Sequence, residues 1–267
     1  MVLLYMFRND PDVVVAHFDH GTRPSSAEDA KFVEAAAKKY GLPFYLGRAK
    51  LGAKVSEEQA RISRYEYLEK VAKGLDGEIY TAHHADDLIE SMAINLARGT
   101  GWRGLVPFGN AAVKRPFVKT GVDKAKILQY AAEHSLAFRQ DPTNTEDRYL
   151  RNRLRERLKF LENDKKVELL KIYHDMYNLR CEIDSSVRTV LQKITLENDK
   201  IERKIFYDLD DNVAQEILRA ILHKAGISAT RPQILDFLNA IRTYGPGKYF
   251  NLPGDILVKF TKDSFLI

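Results

Sequence analysis

Cysteine is nearly absent. Cys181 is the single one in 267 residues, which excludes an internal disulfide framework and any metal or iron–sulfur site built from several cysteines. No apolar run approaches the roughly 20 residues needed to span a bilayer. The apolar start Met1–Phe7 has no basic leader and no small-residue cleavage site, so no secretory signal is expected. Low-complexity segments and internal repeats are also lacking. What is present is 45% hydrophobic and 30% charged, enough apolar surface for one large core or two small ones and too much for disorder. The expectation is a cytoplasmic globular protein.

The formal charge is +5. That is compatible with a polyanionic partner and equally with an ordinary basic surface. The distribution says more. Arg148, Arg151, Arg153, Arg155, Arg157 and Lys159 are opposed only by Glu156, and such a stretch makes a local positive field for phosphates.

The first part of the chain alternates strand and helix. Val13–Phe18 is an apolar, β-branched run ending at Asp19-His20-Gly21, and reads as a buried strand. A helix follows, with Ser25 and Glu28 as a capping box and Gly41 as its stop. Phe44–Leu46 is a short strand. Ser56 and Gln59 open a helix that stops at Gly74. Ile79–Ala82 is a third strand, followed by a helix over Ala85–Ala97. Lys114–Val118 is a candidate fourth strand, and Asp123 caps a helix to about Ser135. This order predicts an α/β fold with a doubly wound, mainly parallel sheet. From Arg151 to about Lys193 the period is helical throughout. Helices over Asp211–Lys224 and Arg231–Arg242 follow, then short strands at Tyr249–Leu252, Ile256–Phe260 and Ser264–Ile267. The expected division is residues 1–147 as the α/β domain and 148–267 as a mainly helical domain with a small β element.

The densest chemistry lies in Thr81-Ala82-His83-His84-Ala85-Asp86-Asp87-Leu88-Ile89-Glu90. It falls at a strand–helix junction, the carboxyl edge where α/β sheets bind ligands. On helical spacing, His83, Asp87 and Glu90 share one face, which suits Mg²⁺ binding or proton transfer. The structural alternative is acidic residues serving the helix dipole. Arg61 and Arg64 share a helix face and could clamp phosphate oxygens or form a solvated basic surface. Asp19 and His20 are either a ligand frame or turn chemistry. Gly99-Thr100-Gly101-Trp102-Arg103-Gly104 follows a helix rather than opening one, so it is not a dinucleotide fingerprint. It reads as a flexible loop or a lid.

Taken in order, these segments resemble the tRNA(Ile)-lysidine synthetase family of N-type ATP pyrophosphatases. The matching stretches are HFDHGTRPSSAEDA (His17–Ala30), SEEQARISRY (Ser56–Tyr65), TAHHADDLIES (Thr81–Ser91), LARGTGWRGL (Leu96–Leu105), RPF (Arg115–Phe117) and DPTNTEDRYLRNRLR (Asp141–Arg155). The closing LPGDILVKFTKDSFLI resembles the end of the family's helical domain. The resemblance implies an ATP-dependent carbon–nitrogen ligase. It adenylates the C2 oxygen of the wobble cytidine in a CAU-anticodon isoleucine tRNA, and free L-lysine then displaces AMP. ATP and Mg²⁺ are implied as cofactors, with a homodimer as a possible assembly. His83, Asp87 and Glu90 are implied as reaction-centre residues, with Asp87 as a Mg²⁺ contact. Asp19, His20, Arg61, Arg64 and His84 are implied on the ATP or adenylate side, and Arg148, Arg151, Arg153, Arg155 and Arg157 on the tRNA side.

The family's pyrophosphate loop, serine-glycine-glycine-x-aspartate-serine, does not occur in these residues, and Met1–Met6 resembles the helix that follows it. The expectation is a domain lacking its first strand and loop, with weak or no activity. Three alternatives stay open. The chain could be a non-catalytic tRNA-binding remnant, another tRNA-modifying member of the same superfamily, or, from the His-His-x-Asp-Asp cluster alone, a metal-dependent phosphohydrolase.

Overall fold

The computed structural model describes residues 1–21, 26–49, 56–109, 112–139, 149–158, 160–196 and 200–267, with the backbone alone at 57–58 and 149–152. It divides into two compact units, Met1–Met176 and Tyr177–Ile267.

The first unit opens with a short helix, α1 (Val2–Met6). Strand β1 (Val15–Asp19), helix α2 (Ser26–Lys39) and strand β2 (Phe44–Arg48) form a parallel crossover, with Val15 opposite Phe44 and Asp19 opposite Arg48. Ser25, expected to cap α2, lies outside the described residues. Helix α3 (Glu57–Gly74) begins as expected, with the Ser56 side chain accepting the Gln59 N–H. Strand β3 (Ile79–Tyr80), helix α4 (Ala85–Ala97) and strand β4 (Val113–Lys114) make a second parallel pair, Ile79 opposite Val113. Helix α3 packs against both β1 and β3. Among the described residues the parallel strands therefore form two pairs rather than one sheet.

β4 is shorter than expected. Pro116 is the first residue of a helical turn, α5 (Pro116–Lys119). Proline fixes a helical φ at a position needing no N–H, and Arg115 before it is outside the helical region, at φ −132° and ψ 79°. Helix α6 (Lys124–Glu133) is capped by Asp123, which accepts the Lys126 N–H. Phe117 and Ala131 are buried with Val2, and Ile127 and Tyr130 pack on them.

The single helical stretch expected after Arg151 is two helices, α7 (Tyr149–Leu158) and α8 (Asn163–Ile194). The units divide inside α8, not at residue 147. α7 packs against α4 and so belongs to the first unit.

The second unit gathers its core from the end of α8 and from α10 (Asp211–Lys224) and α11 (Arg231–Thr243), all amphipathic. An antiparallel sheet completes it. Its order is β5 (Ile201–Glu202), β8 (Ser264–Leu266), β7 (Ile256–Phe260), β6 (Tyr249–Leu252). β5 and the short helix α9 (Ile205–Asp208) were not expected. Between them Arg203, 3% exposed, donates to the carbonyls of Ile241, Thr261 and Tyr244. No described helix is long and apolar enough to cross a membrane.

Candidate active site at the β3–α4 junction

The chain leaves β3 after Tyr80 and enters α4 through an extended His84, the N-cap. The His84 ring nitrogen accepts the Asp87 N–H, and Asp87 Oδ2 accepts the His84 N–H at 3.0 Å. This reciprocal cap corrects the expectation that His83 shares a helix face with Asp87 and Glu90. His83 precedes the cap and is off the helix. It still lies within electrostatic reach of Asp87.

His83 is pinned on two sides. Thr81 Oγ1 is 2.8 Å from its Nδ1, and the Phe108 ring lies 5.1 Å away. Burial lowers its pKa to about 4; Asp87 opposes this, and Arg115, Arg64 and Arg61 reinforce it. The imidazole is therefore neutral at pH 7 and can accept a proton or a hydrogen bond.

Asp86 and Glu90 are four apart on α4; Glu90 reaches the basic segment, and Asp86 reaches α6 and α8. Asp86 accepts the Lys124 N–H at 2.8 Å and Lys166 Nζ at 2.9 Å. Burial raises its pKa, but these two donors outweigh burial and the net direction is downward. Glu90, 7% exposed, accepts the Arg155 Nε–H at 2.6 Å. Arg155 was expected to face tRNA, and the structure sets its Nε on this buried carboxylate. Arg153 and Arg157 are exposed on α7. The Arg151 side chain and all of Arg148 lie outside the described residues.

At the end of β1, Asp19 is 8% exposed and accepts the Gly21 N–H at 2.9 Å. Burial pushes its pKa up, but bonds from Ser26 and Gly21 and the nearby cations carry it below the ordinary value. This is turn chemistry that also leaves a fixed anion at the strand end. Among the described residues, the buried Nδ1 of the neighbouring His20 has no hydrogen-bond partner. Burial, then Arg64, lowers its pKa. Arg64 thus relates to both strand ends, since it also acts on His83. Arg61 lines a cavity with Tyr65 and Arg115.

The glycine-rich loop is tied down. Asn95 Nδ2 donates to the Gly104 carbonyl, Thr100 Oγ1 donates to the Asn95 carbonyl, and Trp102–Leu105 forms a 3₁₀ turn. Sequence reasoning assigned no role to Thr81, Phe108, Arg115 or Lys166. Thr81 and Arg115 stood in quoted motifs, and nothing local marks the other two.

A family model described as the PP-loop domain matches residues 1–162. The chain belongs to the PP-loop family. Among curated relatives, it is 39% identical over 160 residues to the Bifunctional protein TilS/HprT of Listeria monocytogenes (serovar 1/2a), covering 55% of this chain and 24% of that protein. It is 31% identical over 230 residues to the tRNA(Ile)-lysidine synthase of Thermosipho africanus, covering 78% and 50%. To that of Bacillus subtilis it is 35% identical over 168 residues, covering 57% and 35%. These relatives agree with the resemblance drawn from the motifs, and the chain spans half or less of the length of each. The U34-tRNA thiolase NcsA from Methanococcus maripaludis, with its [4Fe-4S] cluster, shares the fold at a TM-score of 0.55 and 12% identity, over 66% of each chain.

Proposed function

We propose that this PP-loop domain belongs to a cytoplasmic tRNA(Ile)-lysidine synthase, joining L-lysine to C2 of the wobble cytidine in a CAU anticodon. The observation that carries the reading is the β3–α4 junction. There a neutral His83 stands beside Asp87, while a buried carboxylate on the same helix is joined to the basic helix α7.

In this reading the cytidine C2 oxygen attacks the α-phosphorus of ATP, and pyrophosphate leaves. The lysine ε-nitrogen then attacks C2, the C2–O bond breaks, and AMP carries away the electron pair. The amine must arrive neutral. From a free pKa of about 10.4, deprotonation at pH 7 costs roughly 4.6 kcal/mol. A carboxylate near the nucleophile offsets part of that cost by accepting the proton. Glu90 is assigned this role, with Arg155 as its positioning partner. His84, capping α4, and Arg64, which acts electrostatically on His20 and His83, are assigned to the adenylate. Asp19 and His20 frame the same side. The exposed Arg153 and Arg157, with Arg148 and Arg151, are assigned to tRNA phosphates.

Asp87 is assigned to magnesium, and the described residues form no cluster of three acidic, histidine or cysteine ligands. That fits an ion completed by substrate phosphates and water. Bound there, it would neutralise the leaving pyrophosphate.

The reading also needs the family's serine-glycine-glycine-x-aspartate-serine loop, which is not in these 267 residues. β1 and β3 each have one strand partner among the described residues, and both rest on α3. We place the remaining strand between them, with its loop delivering backbone N–H groups to pyrophosphate.

In a chain extended N-terminally by a relative's strand and loop, Glu90→Gln should leave ATP–pyrophosphate exchange within about threefold. It should slow lysine transfer by about 10²-fold or more. Equal loss of both steps would remove Glu90 from the lysine step.

A further inference from the structure

The second unit has a cavity of about 410 Å³ where α10 turns into α11. All of its lining comes from that unit, and the β3–α4 junction belongs to the other. The floor is apolar: Leu222 and Ile234 are buried in the unit's core, and Ile227 joins them from the turn. The rim is polar. Arg219 and His223 are four apart on one face of α10, and Ser228 follows in the turn. Backbone bonds hold that turn. The Gly226 N–H donates to the His223 carbonyl at 3.0 Å and the Ile227 N–H to the Leu222 carbonyl at 2.8 Å, with Gly226 at φ +73°. The lining is therefore preformed.

Arg219 is the odd group. Its Nε is buried, and among the described residues it has no hydrogen-bond partner. Glu216, on the same helix, approaches it only to 3.8 Å. A charged donor withdrawn from water without an acceptor leaves its desolvation uncompensated, so an anion arriving there would stabilise the fold.

The charge selects the anion. One guanidinium beside a carboxylate leaves no surplus for a polyphosphate, but it suits a single phosphate, held by a planar fork with a hydroxyl and an imidazole nearby. The apolar floor then needs a flat, weakly polar body attached to that phosphate, as a nucleobase provides. We infer that the cavity receives one unpaired nucleotide of an RNA ligand, its base on Leu222, Ile227 and Ile234 and its phosphodiester on Arg219, His223 and Ser228. The inference rests on the tRNA reading for the RNA itself. It gives the second unit a pocket of its own, beyond the phosphate contacts assigned to α7.

The test is titration of the 267-residue chain by ¹H–¹⁵N NMR. The probes are the dinucleotide ApA, the same dinucleotide with a neutral methylphosphonate link, AMP, inorganic phosphate and N-acetyl-leucine. ApA should bind saturably, with shifts at Arg219, His223 and the turn over 226–229. Neutral ApA and phosphate each offer half of the match and should bind at least about tenfold more weakly. Arg219→Gln, at a partly exposed position, and Ser228→Ala, at an exposed one, should each weaken ApA by about five- to tenfold. Arg219→Gln should also lower the salt slope of tRNA binding by about one. The inference is overturned if ApA does not saturate or shifts only other residues, if phosphate or neutral ApA equals it, or if Arg219→Gln leaves it unchanged. AMP binding at least about tenfold tighter than ApA would make the ligand a free mononucleotide, and tighter N-acetyl-leucine would make it a peptide C-terminus. Either result overturns the RNA assignment. Pocket binding of the expected pattern in a loop-bearing chain that leaves tRNA unmodified would sink the ligase reading alone. Modification by a chain in which ApA never reaches the pocket would sink this inference alone.

Discussion

His83 shows how one residue's environment sets its chemistry. Burial behind Phe108, with three arginines nearby, keeps the imidazole neutral down to about pH 4. The unfolded chain binds that proton near the ordinary value of 6.5, so between pH 6.5 and 4 the unfolded state holds more protons. The contribution to stability is complete above that window and is lost as pH falls through it. His83→Gln should therefore flatten the loss of stability between pH 6.5 and 4, measured by urea unfolding in magnesium-free buffer. An unchanged profile would mean that the imidazole titrates normally. Glu90 and Arg155 make a second residue-scale case. Arg155→Gln leaves a buried carboxylate short of a cation, at a cost of about 1–3 kcal/mol given the partial exposure of the arginine. Adding Glu90→Gln should recover most of it, and additive losses in the double variant would deny the coupling.

At the scale of elements, α4 is the hub. Its N-terminus closes on itself through His84 and Asp87, while Asp86 and Glu90 reach Lys166 and Arg155 from one face. The basic segment is therefore two kinds of surface. Charge reversal at Arg153 or Arg157 should weaken tRNA binding and lower the salt slope by about one per lost phosphate contact. Arg155→Gln should leave that slope unchanged. A slope that falls with Arg155 but not with Arg153 and Arg157 would reverse the assignment. Packing beneath the site is close as well. A Cβ on Gly47 of β2 would lie 2.6 Å from the Tyr67 ring and 2.8 Å from Phe18. Gly47→Ala should destabilise by about 1–3 kcal/mol, read as a fall in Tm of several degrees.

At the scale of the whole molecule, helices with local signals were the most legible. Residues Ser56 and Asp123 mark starts that the structure keeps, and α4 and α10 begin and end where their period does. Non-local effects were not legible. Nothing near Arg115 says that Pro116 will turn the chain into a helix, or that its guanidinium will meet Phe108. Arg203 reads as an ordinary surface cation until the carbonyls of α11 and the last strands close around it. The break between α7 and α8 was missed because an amphipathic period continues across it. The candidate site was half legible: the β3–α4 cluster stands out in the sequence, but the pairing of Arg155 of the basic helix with Glu90 does not. The central claim is that this β3–α4 junction serves lysine ligation to tRNA. Its most direct test is mass spectrometry of a CAU-anticodon isoleucine tRNA after incubation with ATP, magnesium and lysine. The 267-residue chain would be run beside the same chain extended by a relative's first strand and loop. Lysidine at the wobble position from the extended chain, lost with Glu90→Gln, is the predicted result. A folded extended chain that binds ATP and tRNA yet leaves the cytidine unmodified would contradict it.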